Sequence, residues 1–208
     1  MTVRAERLGS PRGSTRREEI LAVAGEVFIE RGFEAATTRE IAMRAGILSG
    51  ALYHHFRTKE EMLFELVRDV YSGILARLQA VERLDIPAEE TLRIAVKNHV
   101  RYVIENQKRT ALVLDEFRSL TREHQRLVRR VENAYAERLD NLIRAGQESG
   151  AIRTDLEVRV ARMTLVGAAN WVHRWYRPAA DAEQVANEIS SILLGGLITS
   201  RARRRPLL

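Results

Sequence analysis

Residues 37–60 read TTREIAMRAGILSGALYHHFRTKE, which combines a short helical segment, a glycine turn and a second short helical segment. This arrangement is a helix-turn-helix pattern. Ala42 is small enough to let the two helices pack closely, and Gly46 allows the positive φ that ends the first of them. The apolar positions expected to bury the pair against a preceding helix are Ile47, Leu52 and Phe56.

The polar side of the second short helix is the candidate contact surface. Its N-terminus carries small side chains that allow a close approach, and hydrogen-bonding side chains follow. The positions predicted to face outward are Ser49, Gly50, Ala51, Tyr53, His54 and His55. Adjacent histidines point in different directions on a helix, and no His-Glu-x-x-His spacing occurs, so we predict no metal site.

Helical periodicity extends over the rest of the chain. Residues 63–78 place apolar side chains at i, i+3, i+4 and i+7 without interruption, and no segment alternates convincingly as a strand. The pairs that match the capping box are Thr15 with Glu18, Thr37 with Glu40, Thr58 with Glu61 and Thr154 with Glu157. We predict an all-α fold of nine helices. They cover approximately residues 15–31, 38–45, 49–56, 59–83, 88–106, 110–119, 122–149, 155–176 and 181–201.

Charge divides the chain into a nearly neutral body and two basic ends. The formal charge is +6, but residues 1–17 and the last eight residues contribute +4 each, which leaves about −2 for the body. The N-terminal run is interpreted equally well as a solvated arm or as a DNA contact. The predicted domains are a flexible basic arm at 1–13, a helix-turn-helix domain at 14–58, a larger helical domain at 59–201 and a basic tail at 202–208.

The composition excludes several classes of protein. Cysteine is absent, which excludes disulfides, thiolate zinc sites and cysteine nucleophiles. No apolar core follows the N-terminal basic residues, and the longest apolar run, residues 189–199, is shorter than the roughly 20 residues that span a bilayer. We therefore expect a soluble cytoplasmic protein. Because no G-x-S-x-G, Walker glycine loop or dinucleotide fingerprint occurs, we expect neither an enzyme nor a cofactor.

The segment 15–66 resembles the DNA-binding module of the TetR family of transcriptional regulators. The shared pattern is T-x-x-x-I-A, A-G, G-x-L-Y-x-H-F and K-E, which this chain matches between Thr37 and Glu60. Leu48 departs from it, since family members usually carry serine or another polar residue at this position. The resemblance implies a dimeric repressor that binds a palindromic operator, because two modules about one helical turn (roughly 34 to 36 Å) apart give useful specificity.

The resemblance also implies a role for each matched position. Thr38 and Tyr53 would hold phosphates through hydroxyl and amide groups, and Lys59 would hold one as a point charge. Arg39 would read a base edge, such as that of guanine, as a bidentate fork. The residues that would line the major groove are Ser49, Gly50, Ala51, His54 and His55.

The last two predicted helices form the dimer contact that the resemblance implies. Small side chains there permit close helix approach, and they are Gly167, Ala168, Ala169, Gly195 and Gly196. An apolar stripe accompanies them and consists of Val185, Ile189, Ile192 and Leu193. The alternative is that this stripe belongs to the core of a single chain.

The segment NWVHRWYRP, residues 170–178, is the most informative part of the larger half. Trp171 and Trp175 lie one turn apart beside Arg174 and Arg177, which suits a ligand that joins an apolar body to phosphates or a carboxylate. The segment resembles one in TetR family regulators of fatty-acid and steroid breakdown, whose effectors are acyl-coenzyme A thioesters. The alternative is that the tryptophans seal the dimer interface. The other candidate lining residues are Asn170, Tyr71, His99, Tyr102, Phe117 and Tyr135.

One hypothesis for the larger half is that it binds a small-molecule effector, such as an acyl-CoA thioester. The alternative for the aromatic and histidine candidates is that they are ordinary core residues, namely Tyr71, His99, Tyr102, Phe117 and Tyr135. A hypothesis from another class is a sequence-indifferent architectural DNA-binding protein that relies on its arginine-rich ends. Deletion of residues 1–13 and 202–208 distinguishes the two. An enzyme with an unrecognised helical active site is the least favoured reading.

Overall fold

The computed structural model describes residues 15–198, and this part of the chain forms nine α-helices and one short 3-10 helix, Phe117–Ser119. The α-helices are α1 (Arg16–Arg31), α2 (Thr38–Arg44), α3 (Ser49–His55), α4 (Lys59–Glu82), α5 (Ala88–Glu105), α6 (Gln107–Glu116), α7 (Arg122–Glu148), α8 (Val158–Trp175) and α9 (Ala182–Leu197). Within residues 15–198 there is no β-strand, and the one isolated bridge joins Ile152 and Ile198. The all-α prediction with nine helices is confirmed, whereas the predicted basic arm and tail lie outside the described residues.

The described residues divide into two compact units, 15–66 and 67–198. The boundary lies within α4, later than the predicted one between residues 58 and 59. Two contacts explain why the start of α4 belongs to the first unit. Leu66 packs against α1 where Gly25 leaves space, since a Cβ at Gly25 would lie 3.4 Å from Leu66 Cδ2. Glu65 forms a bidentate ion pair with Arg17 of α1.

A buried stripe on α1 forms the core of the first unit. The helix begins with the predicted capping box, in which Thr15 Oγ1 accepts from Glu18 N at 3.3 Å and the Glu18 carboxylate accepts from Thr15 N at 2.8 Å. The rings of Phe28 and Phe33 meet edge to face, with centroids 5.3 Å apart. The large side chains of α1 that form this stripe, together with Ala24, are all buried, namely Ile20, Leu21, Ala24, Val27 and Phe28.

Helix α5 lies at the centre of the second unit and packs against α7, α8 and α9. One apolar cluster joins α5, α7 and α8 through Leu92, Leu139 and Leu165. A second cluster joins α5 and α8 through Val100 and Val172, among others. Burial of such side chains is the main stabilising contribution to a helical domain of this size. Among the described helices, none has the length and apolar character needed to cross a membrane.

Helix α8 begins later than the sequence pattern predicts. Thr154 is not its N-cap, because α8 starts at Val158 and the Glu157 carboxylate accepts from Arg159 N at 2.9 Å and from the next amide at 2.7 Å. The cause is a contact from far along the chain. Arg153 N donates to the carbonyl of Leu197 at 2.9 Å, which holds this segment against the end of α9 in a non-helical conformation. The fourth predicted capping box was therefore wrong.

Candidate functional site

The turn between α2 and α3 sets the direction of α3. Gly46 adopts φ 67°, a left-handed conformation that strains any residue with a side chain. Its amide donates to Met43 O at 3.1 Å, and Ile47 N donates to Ala42 O at 3.0 Å, so the last carbonyls of α2 are satisfied. The positive φ predicted for Gly46 is confirmed.

Arginine side chains hold α2 in place on α1. Arg44 donates to Glu30 at 2.6 Å and to Glu40 at 2.7 Å, and Arg16 donates to the carbonyl of Ala45 at 2.6 Å. Exposed ion pairs contribute little to stability one at a time. Together these bonds fix the end of α2 from two sides, and with it the start of the turn that leads into α3.

The outward side of α3, which we call the contact face, consists of Ser49, Gly50, Ala51, Tyr53, His54 and His55. Ala51 and His55 are half-buried and the other four are exposed. The opposite side is in the core, where Leu52 and Phe56 are fully buried. The predicted division of α3 into a buried and an outward side is thus present, and the contacts of these residues with DNA remain a prediction.

Two hydroxyl groups and one arginine accompany the contact face. Thr38 Oγ1 lies 3.2 Å from the Tyr53 hydroxyl, so a single anion is within reach of both. Arg39, one residue further along α2, is exposed and has no hydrogen bond or ion pair within residues 15–198. Its guanidinium therefore has all five N–H donors available for a partner outside this chain.

Lys59 is placed differently from the expected phosphate contact. Its Nζ donates to the carbonyl oxygens of Phe33, Glu34 and Ala36 at 2.6, 3.1 and 2.9 Å, and it lies 4.4 Å from the centroid of the Phe33 ring. An ammonium group has three donors, and all three are used here. The geometry gives Lys59 a structural role, as the residue that joins the start of α4 to the loop after α1.

A polar trio, which we call the buried polar trio after its buried His99, lies inside the second unit and includes the half-buried Tyr135 and Asn170. His99 Nε2 is 3.0 Å from Asn170 Oδ1 and His99 Nδ1 is 2.9 Å from the Tyr135 hydroxyl. Burial lowers the pKa of His99 to about 4 against the opposing effect of its bond to Asn170. The imidazole is therefore neutral at pH 7, with Nε2–H donating to Asn170 and Nδ1 accepting from Tyr135. Burial also raises the pKa of Tyr135, which keeps its hydroxyl protonated.

The remaining aromatic candidates of the second unit are associated with arginines. Tyr102 is buried and lies beneath the Arg77 guanidinium at 4.6 Å, and Phe117 lies 5.2 Å from that of Arg129. Burial is the main cause that raises the pKa of Tyr71 to about 12. No described contact joins these three aromatic residues to the buried polar trio.

The segment 170–178 presents its residues on opposite sides of α8. Asn170 points inward to His99, whereas Trp171 and Trp175 are 62% and 45% exposed. Arg174 pairs with Asp115 at 3.0 Å on the surface, and Arg177 is exposed. Of the ligand candidates predicted in this segment, the structure thus brings only Asn170 to the buried polar trio. The exposure of the tryptophans favours the alternative that they contact a second subunit.

Comparison with known protein families matches both units of this chain. Residues 20–66 match the bacterial regulatory proteins of the tetR family, and residues 85–197 match the tetracyclin repressor-like C-terminal domain. The chain belongs to the TetR family. It is a DNA-binding transcriptional regulator and not an enzyme, as predicted.

Relatives of this TetR family regulator include repressors and ligand-bound regulators. The HTH-type transcriptional repressor KstR2 of Rhodococcus jostii is 33% identical over 187 residues, which cover 88% of this chain and 92% of the relative. The solved ketosteroid transcriptional regulator KstR2 of Mycobacterium tuberculosis has TM-score 0.82 and 30% identity, over 93% of this chain and all of its own. AibR, solved with isovaleryl coenzyme A and operator DNA, has TM-score 0.78 and 25% identity, over 86% and 98% of the two chains.

Three polar residues in the TetR-type C-terminal domain escaped the sequence analysis. Gln107 Nε2 donates to the carbonyls of His173 and Tyr176 at 2.8 and 3.1 Å, and so caps the end of α8. His173 Nε2 and Thr110 Oγ1 are buried and have no hydrogen-bond partner among the described residues. Local sequence patterns give no signal for the role of Gln107, because the carbonyls that it binds lie 66 and 69 residues further along the chain. Within residues 15–198, no group of His, Asp and Glu suited to a metal ion is present.

Proposed function

We propose that this TetR family regulator binds a palindromic operator as a homodimer, represses the adjoining genes, and is released by a small-molecule effector that is a coenzyme A thioester. The observation that carries the proposal is a DNA-binding unit with an outward contact face and an Arg39 that has no partner among residues 15–198. In the same chain, a second unit contains buried polar groups without a partner in that range. A protein that binds an operator must share a compartment with the DNA, and the cytoplasm is therefore the location that we propose.

Operator reading rests on α2 and α3. Phosphate contacts from Thr38 and Tyr53 orient the unit without selecting a sequence. Arg39 selects a base, because its two parallel N–H donors match the O6 and N7 acceptors of guanine in the major groove. The short side chains of Ser49, Gly50 and Ala51 let the start of α3 approach the base edges, and His54 and His55 line the groove further along, together with the neighbouring backbone. Lys59 contributes by holding α4 to the loop after α1 rather than by a phosphate contact of its own.

Homodimer formation is supported by the outer face of α8, which we define as Val160, Met163, Gly167 and Trp171. These residues follow one another at intervals of three or four, so they lie on one side of the helix. The three large ones are exposed, as is Ile192 of α9, at 74%. A Cβ at Gly167 would meet no atom within 4 Å. An exposed apolar surface of this kind marks an interaction site, and a second copy of α8 and α9 fits it by symmetry.

The effector class is supported by the interior of the second unit. Burial of polar groups costs free energy, so a core stabilised only by packing would not be expected to contain them. The second unit contains the buried polar trio and two buried atoms without a partner among the described residues, Thr110 Oγ1 and His173 Nε2. A thioester carbonyl of a ligand would accept from Thr110 Oγ1. His173 donates from Nδ1 to the Asn170 carbonyl, so its Nε2 would accept from a ligand hydroxyl or amide N–H. Exposed Arg177 suits the phosphates of coenzyme A. The bound isovaleryl coenzyme A of AibR indicates that a protein of this fold accommodates such a ligand.

Release follows from a difference in affinity. The effector must bind the dimer whose two α3 helices do not fit successive major grooves more tightly than the dimer whose helices fit. A coupling of about 1 to 3 kcal/mol would weaken operator binding about 5- to 150-fold. An effector that bound both forms of the dimer with equal affinity would leave operator occupancy unchanged.

The first test is selection of operators from random DNA by the full chain, followed by measurement of the mass of the complex. We expect a palindrome bound by two chains. Enrichment of no sequence, together with equal loss of binding to every sequence on deletion of residues 1–13 and 202–208, would instead favour the architectural reading.

The second test is displacement of the selected operator by coenzyme A thioesters of increasing acyl length, with free coenzyme A and the free acids as controls. A Tyr135→Phe variant should need a higher thioester concentration for displacement, because it removes one hydroxyl from the buried polar trio. Ser190→Ala is the matched control, since it removes a buried hydroxyl elsewhere in the same unit, one that donates to the carbonyl of Arg93. Absence of displacement by every thioester would reject the effector class and leave the operator result intact.

A further inference from the structure

Leu48, the residue before α3, is the most exposed large apolar side chain of residues 15–198, at 82%. It occupies the N-cap position of α3, where its side chain makes no capping hydrogen bond. Thr15, Thr37, Thr121 and Asp181 all cap their helices with a side-chain oxygen. Helices α5 and α6 also begin without a side-chain cap, and α3 shares this feature at the end that we propose approaches DNA.

This arrangement is unfavourable for the isolated protein on two counts. A leucine at an N-cap leaves orphan amides at the helix start that a serine would satisfy. An isobutyl group exposed to water also gains none of the stabilisation that burial would provide. Neither the fold nor the turn explains the leucine, because Gly46 and Ile47 make the turn and Leu52 and Phe56 fill the core.

The position of Leu48 indicates what covers it. Its neighbours on the contact face, Ser49 and Gly50, are exposed and have short side chains, and a Cβ at Gly50 would meet no atom within 4 Å. Leu48 is therefore the longest side chain at the end of α3 that approaches the groove. Base edges in the major groove carry donors and acceptors, and the one apolar group among the standard bases is the 5-methyl of thymine.

We propose that Leu48 packs against a thymine 5-methyl group in each half of the operator and so determines the base at that position. The inference rests on the operator binding proposed above and adds a specificity-determining residue to it. The contact reads an A·T pair through shape and apolar surface, whereas Arg39 reads its base through hydrogen bonds.

The experiment replaces thymines of the selected operator with deoxyuridine, one symmetry-related pair at a time, which removes only the methyl group. For the wild-type chain we expect one such pair at which binding weakens about fourfold per half-site, from the value of one buried methyl-sized group. The L48S variant should bind the thymine operator more weakly and be indifferent to deoxyuridine at that pair. The L48M variant keeps an apolar side chain and should retain the sensitivity.

A second measurement separates DNA reading from folding. Because L48S supplies the missing cap, its thermal unfolding midpoint should equal or exceed that of the wild type while its affinity for the thymine operator falls. The inference is overturned if wild type and L48S lose the same factor at every thymine, or if the operator has no thymine in either half. Either result would leave operator binding itself intact, whereas failure to select any operator would reject the proposed function.

Discussion

The contact face of α3 and the buried polar trio of the second unit use polar side chains in opposite ways. On and beside the contact face, hydrogen-bonding groups such as those of Arg39 and His54 are exposed and can bind another molecule. In the buried polar trio, His99 already has a partner on each ring nitrogen. Under the proposed function, DNA reading uses groups that the surface of the first unit leaves exposed, and effector binding uses an interior arrangement that a ligand would replace or extend.

The largest effect is expected at the proposed dimer contact of α8 and α9. Ile192→Glu places a charge on an exposed position of the single chain, which costs that chain little. In a dimer the charge would be buried without a partner, at a cost of about 3 to 5 kcal/mol. We expect sedimentation to show monomers and operator binding to be lost. Leu84→Glu is the control, since Leu84 is also exposed but lies outside α8 and α9, and a monomeric control variant would contradict the assignment of the interface.

The next effect is on the pH dependence of stability. The pKa of His99 is lowered by burial from 6.5 to about 4 in the folded chain, so the unfolded chain binds the additional proton between these values. Stability is then fully present above pH 6.5 and falls as the pH drops toward 4, by up to about 3 kcal/mol. Urea unfolding at pH 7 and pH 4.5 should show a smaller decrease for His99→Gln than for wild type. Equal decreases in the free energy of unfolding for the two proteins would contradict a lowered pKa of His99.

Arg39→Ala should affect operator reading and leave the fold unchanged. Loss of a bidentate contact costs about 1 to 3 kcal/mol at one base pair per half-site and relaxes the preference there. Binding to operator variants at each position measures this. The control is Arg126→Ala, since Arg126 is an exposed arginine of α7 that, among residues 15–198, bonds only to a carbonyl of its own helix. A uniform loss over all positions would make Arg39 a phosphate contact.

Lys59→Met should have the smallest effect, and on stability rather than on DNA. It removes three hydrogen bonds to carbonyls and should lower the free energy of unfolding by about 1 to 2 kcal/mol. The slope of operator affinity against salt should not change. A decrease of that slope by about 1 would instead establish the phosphate contact that the family pattern implies.

The first unit could be predicted closely from the sequence because its signals are local. Thr15, Thr37 and Gly46 act on amides and carbonyls within a few residues, so the bounds of α1, α2 and α3 follow from short patterns. The hydrogen bonds from Lys59 to backbone carbonyls could not be predicted, because the carbonyls lie on a loop more than twenty residues earlier in the chain. Whether Lys59 also contacts a phosphate stays a prediction, which the salt dependence described above tests.

The second unit could be predicted as helices but not as a site. Asn170 and Trp171 are adjacent in sequence and lie about 100° apart around α8, so a segment treated as one block is divided between the interior and the surface. The predicted apolar stripe of α9 is divided in the same way. Val185, Ile189 and Leu193 pack within the chain, and Ile192 faces outward. Which side of each helix is buried depends on the helices that pack against it, and these come from distant parts of the chain.

The two exposed tryptophans of α8 have a practical consequence, because they are the only tryptophans in the chain. All indole emission of this protein therefore arises from one helix surface that is already hydrated in the single chain. Unfolding would therefore shift the emission maximum of the two tryptophans little, whereas a second protein surface packed on α8 would move the maximum to shorter wavelength. The chain thus carries a built-in optical probe of its α8 surface and none in the unit that reads DNA.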